Sequence, residues 1–178
     1  MSAGDVRPIA DAFRLQARVC AKSGAPVSAA ILNGCAEDAA ARGAVIDVLA
    51  GWRDAPAEQA VPLRLLGGLH RLALEGRTPE LARWLPSTGG DASPENAWTV
   101  AYGLLKSQRS FLTAYLSRPP QTNEAGRSAM LLGGFLAAAK AMGLPLRLLE
   151  VGASAGLNLM WDCYRTITPA FTWGPRSE

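Results

Sequence analysis

A short segment near the end of the chain carries residue types that bind nucleotides. An apolar run ends in an acid, Glu150, and small residues follow at alternate positions, namely Gly152, Ser154 and Gly156. Gly152 permits a sharp turn because glycine takes positive φ without steric cost, and small side chains let a ligand approach the backbone. A helix after the turn would direct its unpaired N–H groups and its positive dipole end at that ligand. The spacing therefore predicts a nucleotide-type binding site.

The predicted site combines this turn with the start of an earlier helix. Its candidate residues are Glu150, Gly152, Ala153, Ser154, Gly156 and Asn158 in the turn, and Asn123, Glu124 and Arg127 at the helix start. Residues four positions apart share one side of a helix, so the second set forms a polar cluster at one end of an otherwise apolar segment. Such a cluster indicates the wall of a crevice for a small-molecule ligand.

Each part of this site has a structural alternative. The turn also fits an ordinary strand-turn-helix corner in which Glu150 caps backbone amides. Arg127 pairs either with a carboxylate of the ligand or with Glu124 one helical turn away. His70, the only histidine, lies among leucines, which favours packing over catalysis. No Ser/His/Asp or Cys/His arrangement can be assembled, so the catalytic residues stay unassigned.

Composition and charge exclude several classes of protein. Hydrophobic residues make up 49% and charged residues 19% of the 178 residues, which is not typical of disorder. The net charge of +3 is dispersed along the chain, so no surface for nucleic acid is expected. No apolar run is long enough for a membrane span. The three cysteines lack the spacing of a disulfide framework or a zinc site. These features predict a cytoplasmic protein without a metal centre.

Helices must position both parts of the site. Apolar residues recur at helical spacing through the first 143 residues, with almost no strand signal. The predicted helices cover residues 7–21, 26–42, 44–50, 62–75, 79–85, 94–116 and 123–142. Gly43, Gly76 and Gly143 are expected to close three of them as C-caps. A strand over 146–151 and a helix over 156–164 then enclose the glycine turn.

This pattern predicts a mainly α protein. A multi-helix N-terminal domain over residues 1–143 is followed, over 144–178, by the first strand-turn-helix of a truncated Rossmann-like α/β domain. Further parallel strands need crossovers of a dozen or more residues each, and we expect them in a longer parent protein. A lone strand would expose two hydrogen-bonding edges. We therefore expect the strand over 146–151 to be helix-covered, disordered, or paired with the same segment of another copy in a homo-oligomer.

Four segments together resemble an uncharacterised bacterial family, domain of unknown function 2332. They are residues 13–17, 66–72, 121–128 and 149–159, of which the last two are the more specific. The glycine segment also resembles the first motif of Rossmann-like S-adenosylmethionine methyltransferases, with Ser154 in place of the middle glycine. The last two glycines of the dinucleotide fingerprint are spaced differently.

The methyltransferase resemblance implies S-adenosylmethionine as cofactor and places Glu150 beside its methionine part. It also implies a second acid further along the chain, at the end of a second strand, that binds the ribose. Only Glu178 lies far enough after the glycine turn to fill this role. The chain is then an N-terminal part that is not catalytic alone. Two alternatives stay open: a non-enzymatic helical binding or regulatory module, and a Ser154 turn that binds another nucleotide or phosphate.

Overall fold

The fold was analysed in a computed structural model, which describes residues 5–55, 57–91, 93–120 and 124–176. The chain divides into two compact units, Met1–Pro120 and Gln121–Glu178, and each is described by itself. The described residues are mainly helical, as predicted. The predicted domain boundary after residue 143 and the Rossmann-like interpretation of 144–178 stay predictions.

The first unit is built from seven α-helices among the residues that the structure describes. They are α1 (Arg7–Lys22), α2 (Pro26–Ala40), α3 (Ala44–Val48), α4 (Val61–Leu74), α5 (Pro79–Ala82), α6 (Ala97–Ser107) and α7 (Arg109–Tyr115). Short 3-10 turns cover Ala57–Gln59 and Pro86–Thr88. Proline stands in the first turn of α1, α2, α4 and α5. That position suits proline because the missing N–H has no intrahelical partner there.

The core of this unit joins one face of each long helix. Its fully buried large side chains are Phe13, Ile31, Leu32, Leu49, Leu65, Leu69, Leu72, Leu81, Leu105, Leu112 and Leu116. Cys35 is also fully buried, and burial raises the pKa of its thiol. Trp52, Trp84 and Trp98 pack partly buried against this core.

Gly34 allows the Trp98 ring to pack directly against the backbone of α2. A Cβ atom built on Gly34 would overlap the Trp98 ring. Cores are packed at nearly crystalline density, so the ring has little room to move away. Gly34 is therefore required by the close approach of α6 to α2.

The buried cation of this unit is held by carbonyl oxygens. Arg64 on α4 is 7% exposed, and its guanidinium donates to the backbone and side-chain oxygens of Gln59 and to the Leu116 carbonyl at 2.9 Å. Its Cζ lies 4.9 Å from the centroid of the Trp52 ring. Arg64 thereby connects α4 to the end of α7.

Two details of the helix ends differ from the sequence-based expectation. The predicted helix over 94–116 is two helices, because Gln108 departs from helical geometry at φ −115. Gly43 is not a left-handed C-cap: its φ is −82 and Arg42 takes the positive φ of 57 instead. The reason is tertiary, since Asp38 accepts a hydrogen bond from the Val45 N–H at 2.7 Å. A Cβ on Gly43 would overlap that carboxylate.

The second unit contains α8 (Arg127–Met142), a 3-10 helix (Leu157–Cys163) and a two-stranded antiparallel ladder, β1 (Thr166–Ile167) with β2 (Thr172–Trp173). The predicted start of its helix at Asn123 lies outside the described residues. Gly143 closes α8 at φ +62, as expected of a glycine C-cap.

The predicted strand over 146–151 is wrong. These residues form no ladder, and β1 with β2 is the only ladder in the part of the chain that the structure describes. A strand needs a neighbour for its N–H and C=O groups, and no described segment supplies one. The burial nevertheless alternates as on a strand, since Leu146, Leu148 and Glu150 are half-buried while the residues between them are exposed.

Candidate functional site

The glycine turn has left-handed backbone at every second residue. Gly152, Ser154 and Gly156 have φ values of +74, +53 and +72. A non-glycine residue in this region is uncommon and costs on the order of 1 kcal/mol. Ser154 therefore occupies a conformation that favours glycine, and it adds a hydroxyl to the turn.

The two ends of the turn are joined by a side-chain hydrogen bond. The Asn158 amide donates from Nδ2 to Glu150 Oε1 at 3.2 Å, and Asn158 is buried. The other carboxylate oxygen, Glu150 Oε2, is shielded from solvent and has no hydrogen-bond partner among the described residues. Buried polar atoms are nearly always paired. This oxygen is thus a buried acceptor that the described residues leave unpaired.

The helix after the turn is tighter and shorter than expected. Residues Leu157–Cys163 form a 3-10 helix with a non-helical Met160 inside it, in place of the predicted helix over 156–164. The Tyr164 hydroxyl donates to the Leu157 carbonyl at 2.8 Å and so braces the start of this helix. A short 3-10 segment has poorer hydrogen-bond geometry than an α-helix, so its dipole supplies little to the site.

A separate cavity of the same unit lies next to the start of α8, but neither Glu124 nor Arg127 lines it. Glu124 and Arg127 are exposed at the start of α8, and Asn123 lies outside the described residues. The neighbouring Ser128 is buried and its hydroxyl donates to the Ala125 carbonyl at 2.7 Å. The cavity, of about 440 Å³, is lined by Ala125, Gly126, Ser128, Ala129, Tyr164, Arg165, Thr166 and Ile167. Glu150 and Asn158 do not line it, although Tyr164, which does, also donates to the carbonyl of Leu157 beside Asn158.

A group of aromatic rings that the sequence did not indicate is centred on Trp161, in the 3-10 helix that follows the turn. The ring centroid of Trp161 lies 5.0 Å from that of Phe135 on α8 and 5.2 Å from that of Trp173 on β2. A cavity of about 380 Å³ lies beside this stack, lined by Ala139, Pro145, Leu146, Leu148, Leu159, Trp161 and Asp162. The alternation of Leu146 with Leu148 was the available signal, but the partners come from elements distant in sequence.

Other chemistry is limited in the described part of the chain. His70 Nε2 lies 2.6 Å from Ser87 Oγ, and partial burial lowers the pKa of this imidazole. No group of three His, Cys, Asp or Glu side chains there is arranged to hold a metal ion. Among the described residues, no helix combines the length and the apolar character that crossing a membrane requires.

Comparison with known proteins gives one finding. A family model described as "Uncharacterized protein conserved in bacteria (DUF2332)" matches residues 10–178. No curated protein and no solved structure matches the chain.

Proposed function

The chain belongs to this bacterial DUF2332 family, and we propose that its Glu150–Asn158 turn binds S-adenosylmethionine in a methyltransferase-like protein. One observation carries the proposal. Glu150 Oε2 is a solvent-shielded carboxylate oxygen without a hydrogen-bond partner among the described residues, at the position where the motif has its acid. The cofactor's α-ammonium and ribose hydroxyls are donors that would satisfy such an oxygen.

The surroundings of the turn fit a ligand of this kind. A Cβ atom on Gly152 or on Gly156 would meet nothing within 4 Å, so the space next to the backbone is open. Asn158 holds Glu150 by one oxygen and leaves the other for the ligand. When bound, the cofactor would supply an electrophilic methyl group, and the residues of the turn would bind and orient it.

Calorimetry on the natural protein that contains this chain tests the proposal. We expect saturable heat with S-adenosylmethionine and with its demethylated product. The variant Glu150→Gln replaces one acceptor by an N–H₂ donor, which would face the donors of the ligand. Affinity should fall at least about fivefold, because an unpaired buried polar group costs on the order of 1–3 kcal/mol. Glu80→Gln, which removes an exposed acid of α5, is the matched control and should bind as the wild type does.

The same titration separates the alternatives. Heat with ATP or NAD, but not with S-adenosylmethionine, would assign the turn to another nucleotide. A complete lack of heat with all of these compounds would contradict ligand binding and leave the helical binding or regulatory module. Unchanged affinity in Glu150→Gln would contradict the role given to the carboxylate.

A further inference from the structure

A cavity of the first unit lies between α4 and the end of α7. Its volume is about 280 Å³, and it is lined by Arg71, Glu75, Phe111, Ala114, Tyr115, Ser117 and Arg118. This volume is close to the lower end of the roughly 300–1,000 Å³ of small-molecule sites.

A pair of glycines on α4 brings the two walls together. A Cβ on Gly68 would lie 3.0 Å from Leu112 Cδ2 and 3.2 Å from Tyr115 Cδ1, and one on Gly67 would lie 3.5 Å from Tyr115 Cε1. The glycines therefore allow the Tyr115 ring to pack against the α4 backbone. Gly67 and Gly68 belong to the family-like segment 66–72, for which the sequence alone suggested no purpose.

The walls of this cavity carry more positive than negative charge. Arg71 Nε donates to Glu75 Oε1 at 2.6 Å, and Arg77 Nη1 donates to Glu75 Oε2 at 3.3 Å. Arg118 lies over Tyr115, with its Cζ 5.5 Å from the ring centroid. Hydrogen bonds from Arg71 and then Arg77 hold the pKa of Glu75 below its ordinary value, so this carboxylate is ionised near neutral pH. Arg77 does not line the cavity, but it contacts two residues that do, Glu75 and Phe111. Three guanidinium groups and one carboxylate thus lie at or next to the cavity, which leaves a surplus of two positive charges.

Several N–H donors at the cavity have no acceptor in the described part of the chain. The Arg118 guanidinium makes no hydrogen bond or ion pair with the described residues, and the Arg71 guanidinium uses only its Nε. The planar guanidinium fork binds carboxylate and phosphate oxygens in pairs. The hydroxyl of Ser117 donates to the Ala114 carbonyl at 2.8 Å, so the arginines are the principal donors offered to a ligand.

We propose that this cavity binds a small phosphate monoester, with Arg71 and Arg118 holding the phosphoryl oxygens and Tyr115 bordering the organic part. The charge of a phosphate monoester near pH 7, about −1.5 to −2, matches the surplus of two positive charges. A carboxylate carries one charge fewer and matches it less well. The site is independent of the glycine turn.

Titration of the chain with phenyl phosphate, followed by NMR chemical shifts, tests this assignment. We expect saturable shifts in residues 111–118 with a Kd on the order of 1 mM. Inorganic phosphate, which lacks the ring, and benzoate, which carries one charge, should each bind several-fold more weakly. Binding should weaken as salt is added, because exposed charges are screened.

Three variants give a matched comparison. Arg118→Gln should weaken phenyl phosphate binding at least about fivefold, because it removes a charge-assisted contact. Glu75→Gln should strengthen it about threefold, since the competing carboxylate is gone. Arg18→Gln removes an exposed arginine of α1 that does not line the cavity and should leave binding within about twofold of the wild type.

Three results would overturn the proposal. The first is an absence of saturable shifts with phenyl phosphate. The second is an equal loss of binding in Arg118→Gln and Arg18→Gln, which would reduce the effect to net charge. The third is equal affinity for phenyl phosphate and inorganic phosphate, which would contradict the assignment to a monoester. Circular dichroism melts of each variant show whether a loss comes from unfolding.

Discussion

Single residues of this chain show how strongly the backbone depends on tertiary contacts. Gly34 and Gly103 both lie within helices, but only Gly34 has a ring against its Cα. The Asp38 carboxylate leaves no room for a side chain at Gly43. The left-handed conformation is adopted by Arg42 instead of by this glycine. Neither requirement is visible in the local sequence, since a glycine near a helix end predicts a cap with or without such a neighbour.

These two helical glycines predict opposite effects of alanine. Gly34→Ala should destabilise the protein by about 1–3 kcal/mol, because the added methyl overlaps Trp98. Gly103→Ala meets nothing within 4 Å and should stabilise it by up to about 1 kcal/mol through helix propensity. Urea unfolding at constant temperature measures both. A Gly34→Ala variant at least as stable as the wild type would contradict the packing described for α2 and α6.

His70 predicts a dependence of stability on pH. Burial lowers its pKa below the ordinary 6.5, so the unfolded chain binds more protons than the folded chain just below that pH. The contribution of the neutral His70 imidazole to the free energy of unfolding is therefore complete above pH 6.5 and declines as the pH falls below this value. The free energy of unfolding should therefore decrease from pH 7 to pH 5.5 more steeply in the wild type than in His70→Gln. Parallel curves for the two proteins would show that burial of this imidazole carries no such effect.

At the scale of elements, the helices were predictable and the strand was not. Proline in the first turn marks the starts of α2 and α4, and a left-handed glycine marks the ends of α4 and α8. These signals are local, because they act on the backbone that carries them. The segment 146–151 has strand-like alternation, but a ladder depends on a partner. The candidate site was likewise predictable only where its contacts are local in sequence. The contact between Glu150 and Asn158 lies within one turn, whereas the Trp161 stack joins three elements.

The alternation along this segment makes a paired prediction. Leu148 is half-buried beside the Trp161 cavity, whereas Leu149 is 89% exposed. Leu148→Ser should lower the stability of the second unit by about 1–2 kcal/mol through lost apolar burial. Leu149→Ser should leave it unchanged and reduce self-association of the chain, because exposed apolar segments associate.

Thermal unfolding and sedimentation velocity over a range of concentrations measure the two effects. A wild-type chain that stays monomeric at all concentrations would exclude pairing with another copy, one of the three arrangements expected for this segment. Equal loss of stability in both variants would contradict the alternation.

At the scale of the whole molecule, the two units differ in how much apolar surface they bury. The first unit has an extended core drawn from all its long helices. In the second, Leu132 is the only buried apolar side chain among the described residues. Small units with little core are marginal unless a ligand, metal or partner adds binding energy. A ligand at the glycine turn would therefore stabilise the second unit more than the first.

The rate at which a reagent modifies the buried thiol of the first unit measures how often its core opens. Cys163 is exposed, Cys20 is half-buried and Cys35 is fully enclosed. A thiol reagent such as a coloured disulfide should modify Cys163 at once and Cys35 only when α2 separates from its neighbours. The rate of the slow phase then reports the opening of the first unit without any engineered label. Prompt modification of all three cysteines in native buffer would contradict the enclosed position of Cys35.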